Sequence, residues 1–186
     1  MIPIVGKYIK LFFFGFIPLF LFSSGSKPTV DYPALKSGSC QFNVTGKYNL
    51  IIDGVASFHN SEEEDEWGNS RNNLILNFVP NGNAEVQTIE FVIASNRIAQ
   101  DKIVTGYYRI KTLNGLINGL INGFEGVYGF ADIDGSNGLP FFIKTGGVRI
   151  LKNHKDSIDG SLEVQFENAN GEFLNIKGSF IADIKI

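Results

Sequence analysis

Apolar and polar side chains alternate most cleanly near the end of the chain, where Ile158, Gly160, Leu162, Val164 and Phe166 interleave with Asp159, Ser161, Glu163, Gln165 and Glu167. A period of two puts each set on its own face of a strand. After Asn170-Gly171 the pattern resumes: Leu174, Ile176, Gly178, Phe180, Ala182 and Ile184 lie on one side, and Asn175, Lys177, Ser179 and Asp183 mostly on the other. Only Ile181 breaks it. Similar runs predict strands at Cys40 to Ile52, Val55 to His59, Asn73 to Val79, Val86 to Ala94, Val104 to Lys111, Phe124 to Ile133, Leu139 to Ile143, Val148 to Asn153, Ser157 to Glu167 and Glu172 to Ile184. Asp53-Gly54, Pro80-Asn81-Gly82, Asp134-Gly135 and Asn170-Gly171 supply the residues of tight turns between them. Two long antiparallel strands with one greasy face need cover, and a second sheet would supply it. The expected fold is therefore all-β, an antiparallel β-sandwich of about 8 to 10 strands, with a closed β-barrel as the second choice. A short turn of helix is expected only at Ser95 to Lys102.

The first residues follow a different pattern. Lys7 and Lys10 precede an unbroken apolar run from Leu11 to Phe22, too short to cross a bilayer comfortably, and Ser23 to Ser26 are small. This is the layout of a secretory signal, with cleavage expected after Ser26. Residues 27–39, with Pro28, Pro33 and Ser37-Gly38-Ser39, read as a tether before a single domain at 40–186. At the end of a bacterial lipoprotein signal a cysteine would follow the small residues. Gly25 stands there instead and has no thiol to carry a lipid.

Composition narrows the function classes. Loss of residues 1–26 takes Lys7 and Lys10 from 16 basic residues and nothing from 19 acidic ones, leaving 14 against 19. Such a balance disfavours nucleic acid as a partner. The one cysteine, Cys40, excludes an intramolecular disulfide, and its alternation with Gln41 to Thr45 marks an inward, inert thiol, with an intermolecular bond as the alternative. His59 and His154 stand outside any metal-ligand spacing and read as strand-end or turn residues. Nucleophile elbows, phosphate loops and paired-cysteine metal motifs are absent from the sequence.

Tyr48-Asn49-Leu50-Ile51-Ile52-Asp53-Gly54, Gly106-Tyr107-Tyr108, Gly147-Val148-Arg149-Ile150, Ile158-Asp159-Gly160-Ser161-Leu162, Gly171-Glu172 and Ile176-Lys177-Gly178-Ser179-Phe180 resemble a group of small exported or lipoprotein domains of unknown function, common in Bacteroidetes-type bacteria. The resemblance covers most of Phe42 to Ile184. It implies a β-sandwich at the cell envelope and no particular activity, and such domains typically carry the lipid-bearing cysteine that Gly25 replaces.

Two segments are candidate ligand sites. Glu62, Glu63, Glu64, Asp65 and Glu66 crowd beside the only tryptophan, Trp67, forming a solvated acidic loop that could offer oxygens to calcium or an indole face to a sugar. Asp132 and Asp134 begin a stretch like the first half of a calcium loop, but Gly138 falls one place late and Ile143 sits where the closing glutamate belongs. No other cofactor is implied. A tandem repeat, Leu116-Ile117-Asn118-Gly119 and Leu120-Ile121-Asn122-Gly123, reads as a loop duplication. The expectation is an exported, non-enzymatic envelope or secreted protein with a binding or structural role. Its partner would be an envelope protein or a glycan, and it would touch membrane only through the signal segment. Binding is expected on end loops, at the acidic run and at Asn118 to Gly126. The alternative is a secreted hydrolase of polysaccharide, for which Glu90 and Asp132 are possible carboxylates. The alternation makes one direct prediction. Phe180→Asp prevents folding while Lys177→Ala leaves the melting temperature almost unchanged; equal melting temperatures for the two variants would show the register to be misread.

Overall fold

The computed structural model describes residues 34–64, 70–82, 88–95, 98–99, 102–110, 126–133 and 138–185, all within the unit Tyr32–Ile186. The expected signal segment, Asp65 to Trp67, Asp134-Gly135 and the tandem repeat lie outside these residues.

The described residues form eleven strands, in chain order: β1 Ser39–Gly46, β2 Leu50–Glu64, β3 Ser70–Pro80, β4 Thr88–Ala94, β5 Ile98–Ala99, β6 Lys102–Ile103, β7 Gly106–Arg109, β8 Gly126–Asp132, β9 Phe141–Asn153, β10 Ser157–Glu167 and β11 Phe173–Ile184. The all-β class holds, and the described residues contain no helix. The sandwich does not hold. One antiparallel sheet passes through β1, β2, β3, β4, β8, β9, β10 and β11, and β11 returns to pair with β1 from Gly46↔Leu174 to Ser39↔Ile181. This is a closed eight-stranded barrel. The alternation correctly demanded cover for a greasy face, but the sheet supplies that cover by curling onto itself, and eight strands leave an interior just wide enough for side chains to fill.

The fill is aromatic. Phe42, Phe78, Phe91, Phe166 and Phe180 are fully buried and linked edge to face, with ring centroids 4.9 Å apart for Phe42 and Phe78, 5.1 Å for Phe78 and Phe180, 6.0 Å for Phe78 and Phe91, and 5.8 Å for Phe91 and Phe166. Room for such rings comes from glycine on facing strands. Gly178 lies opposite Phe42 and Gly160 opposite Phe180, and a Cβ on Gly160 would sit 2.3 Å from Cζ of Phe180. Large opposite small lets the rings reach the axis.

Several local features differ from the sequence reading. Asp53-Gly54 is not a turn: both residues run through the ladder opposite Gln41 and Cys40. The reversal falls instead at Lys47 to Asn49, just after Gly46 takes a φ of 118°. Leu139 to Ile143 and Val148 to Asn153 merge into β9, because two register shifts against β10 absorb the break in alternation as bulges. Within Ser95 to Lys102, where a turn of helix was expected, the described residues 98–99 instead pair as strand β5 with β6, and Ile98 and Ile103 are buried in the core. The expected tether is already ordered at its end, where Ser37 Oγ donates to Asp183 at 2.6 Å and the Gly38 carbonyl accepts from Ala56 N at 2.8 Å. The Asn170-Gly171 turn forms as expected, with Asn168 Oδ1 accepting from the backbone N of Asn170 and of Glu172, both at 3.0 Å.

At the same end of the barrel Lys47 Nζ donates to both carboxylate oxygens of Glu172, at 2.5 and 2.7 Å, tying the β1–β2 turn to the β10–β11 turn. That bond, aided by one from Asn168, holds the Glu172 carboxyl below its ordinary range.

Cys40 points inward and is 2 % exposed. Burial, reinforced by the charge of Asp53, pushes its thiol from 9.0 up to about 12. A raised thiol pKa means that stability is intact below the unfolded value and drains away as pH climbs toward the folded one. The native protein is therefore expected to resist a thiol reagent at neutral pH and to lose stability between about pH 9 and about 12. Rapid labelling of the folded state, or a Cys40→Ala variant with an unchanged alkaline decline, contradicts this.

Candidate functional site

Among the described residues the pairing between β8 and β9 is short. Only Phe130↔Phe142 and Ala131↔Phe141 pair there, and further along β9 the partner strand is β7, through Gly106↔Ile150 to Arg109↔Gly147. β7 thus fills a wedge in the wall. It turns Tyr108 into the core, where its hydroxyl donates to the Val104 carbonyl at 2.5 Å, and leaves Tyr107 and Arg109 facing out.

Two outward rows of side chains cross this region. Tyr107 stands opposite Arg149, which stands opposite Ser161; Arg109 stands opposite Gly147, then Glu163, then Lys177. Gly146 and Gly147 lie in the middle, the first half-buried and the second buried. A Cβ on Gly147 would come within 2.7 Å of Cζ of Tyr107, so the phenol end of that ring lies over the glycine. The result is an open groove of about 420 Å³ lined by Tyr107, Gly146, Gly147, Arg149, Ser161 and Glu163, with Leu162 and Lys177 completing it. Tyr107 remains 44 % exposed, and the Arg149 guanidinium carbon sits 5.3 Å from the centroid of its ring, a cation–π contact. Glu163 is committed to Lys177 at 3.2 Å. Among the described residues neither Arg109 nor Arg149 has a carboxylate within ion-pair distance.

The sites expected from sequence fall elsewhere. Glu62, Glu63 and Glu64 form the last ladder rungs of β2, opposite Asn72, Arg71 and Ser70, where a loop was expected; Glu62 and Glu64 are exposed. An extended ladder alternates its faces and so spreads an acidic run. Asp65, Glu66 and Trp67 are outside the described residues, as is Asp134. Asp132 ends β8 opposite Thr88, and Glu90 lies opposite Phe130, so those two carboxylates are diagonal neighbours on the wall. Among the described residues no three His, Cys, Asp or Glu side chains gather as a metal site.

His59 was expected at a strand end and lies instead inside β2. It shares a face with Ser61, whose opposite neighbour on β3 is Asn73. His59 Nδ1, Ser61 Oγ and both side-chain amide atoms of Asn73 are buried without hydrogen-bond partners. Nδ1 and Oγ therefore do not bond each other in this structure. His154 sits in the β9–β10 turn, as expected.

Comparison with protein-family models, with curated proteins and with solved structures finds no match for this chain. Asn73, 1 % exposed with nothing to bond, costs roughly 1 to 3 kcal/mol. Asn73→Leu is accordingly expected to raise the melting temperature, while an equal or lower one would mean that the amide has a partner in solution.

Proposed function

We propose that this chain is exported and serves at the cell envelope, or outside the cell, as a non-catalytic binding barrel that takes its ligand on the outer wall at the Tyr107–Arg149 groove. Export rests on the basic start, the apolar run Leu11 to Phe22 and the small residues after it. The resemblance to exported envelope domains points the same way.

The observation that carries the binding reading is an open groove on the outer wall with a reachable aromatic ring and Arg149 on its lining and Arg109 on an adjoining outward position, neither arginine having an acidic partner among the described residues. The barrel axis is occupied by phenyl rings, which favours the wall over the interior as the place for a ligand. The one carboxylate in the groove is tied to a lysine, which suits holding a molecule better than shuttling its protons. An envelope glycan fits this surface, with a sugar ring against the tyrosine and donors around it. Nucleic acid is disfavoured by the acidic balance.

A melting series with soluble envelope glycans tests the proposal, because a ligand selective for the folded state contributes about 2.7 kcal/mol at a hundredfold excess over Kd. At least one glycan is expected to raise the transition, and Tyr107→Ala to abolish the rise. No shift with any of them, or a shift that survives Tyr107→Ala, overturns the assignment of the groove.

A further inference from the structure

We infer that the groove selects sugars bearing a carboxylate, as uronic-acid units do, over neutral ones. This rests on the reading of the groove as a glycan site and adds the charge of the ligand.

The argument is a local charge inventory. Arg109, Arg149 and Lys177 stand on adjoining outward positions of β7, β9 and β11, and Glu163 is the only acid among them. These adjoining positions, with Arg149 and Lys177 on the groove lining and Arg109 beside it, therefore carry a surplus of two positive charges on a chain whose formal net charge is −3. Elsewhere on the described wall the pattern differs: Lys47, Lys144 and Lys152 each meet a carboxylate, on Glu172, Glu167 and Asp159. The two arginines whose side chains are described both flank the groove, and neither is neutralised.

Their chemistry narrows the ligand further. A guanidinium offers paired donors matched to the two oxygens of a carboxylate, which a neutral hydroxyl cannot use as fully. Stacking on Tyr107 holds the Arg149 plane in place, so less freedom is lost when it bonds an anion. The exposed part of Tyr107 gives a flat floor for the sugar ring itself, and Ser161 adds a hydroxyl at the margin. An acidic peptide lacks a ring to use that floor, which favours the saccharide.

Titration calorimetry on the exported protein decides the matter with three probes: a galacturonate trisaccharide, the matching neutral galactose trisaccharide and a sulfated galactose trisaccharide. The galacturonate is expected to bind at least about tenfold more tightly than the neutral sugar. The double variant Arg109→Gln/Arg149→Gln is expected to erase that preference with little change in melting temperature. Lys155→Gln, in the β9–β10 turn, serves as the control and should leave it intact. Added salt should weaken the galacturonate more than the neutral sugar. Equal binding of the acidic and neutral trisaccharides overturns the inference while leaving the glycan site standing, and so does a preference that survives the double variant. Tighter binding of the sulfated sugar than of the galacturonate refutes the carboxylate in particular. Failure of all three probes, together with a flat melting series, removes the glycan reading as well.

Discussion

Closure of the sheet between its first and last strands is the constraint on which the structure depends. Eight rungs join β1 to β11, from Ser39↔Ile181 to Gly46↔Leu174, and without them both strands would be edges with open hydrogen-bonding groups. The seam permits little variation, since Phe42 on one side faces Gly178 on the other and a Cβ there would lie 2.0 Å from the Gln41 carbonyl oxygen. Beyond the short β1 the neighbours meet directly, as Asp183↔Ser57 and Ile184↔Phe58 pair in parallel. Closure and core filling are one event, because the ring network from Phe42 through Phe78 to Phe180 forms only when β1, β3 and β11 curl around a common axis.

The outer groove has a separate origin on the β7–β9 side of the wall. Five strands meeting seamlessly would give a continuous outer face, but β7 enters as a wedge where β8 leaves β9, and the bulged β9 carries Gly146 and Gly147 past it. Side chains from β7, β9, β10 and β11 then line the groove. Their arrangement is rigid because each sits on a ladder rung, which makes for better-defined geometry than loop residues provide.

Much of the fold was legible because it is local. Ile158 to Phe166 and Leu174 to Ala182 face inward as their alternation requires, and the turn between them forms where Asn170-Gly171 indicates. Asp53-Gly54 misled because a turn-forming pair is also compatible with an extended ladder when the partner strands demand it. Sandwich and barrel share one alternation pattern, and the difference lies in a contact between residues about 140 positions apart, such as Ser39 and Ile181, which no local period encodes. The groove was hidden for the same reason. Tyr107, Gly147, Arg149, Glu163 and Lys177 look like ordinary strand residues until register aligns them. The one signal available was the pair Gly146-Gly147 within a strand pattern, a mark of bulge or close approach. The acidic run drew attention by charge density, yet its first three residues are ladder positions.

Native-state hydrogen exchange along β1 and β11 tests the closed barrel most directly. The account predicts that the alternate amides within Gln41 to Thr45 and Asn175 to Ser179 that bond across the β1–β11 seam open only with the whole domain and match the β10–β11 ladder in protection. Fast exchange along β1, with the β10–β11 ladder still protected, would expose a free sheet edge and contradict closure.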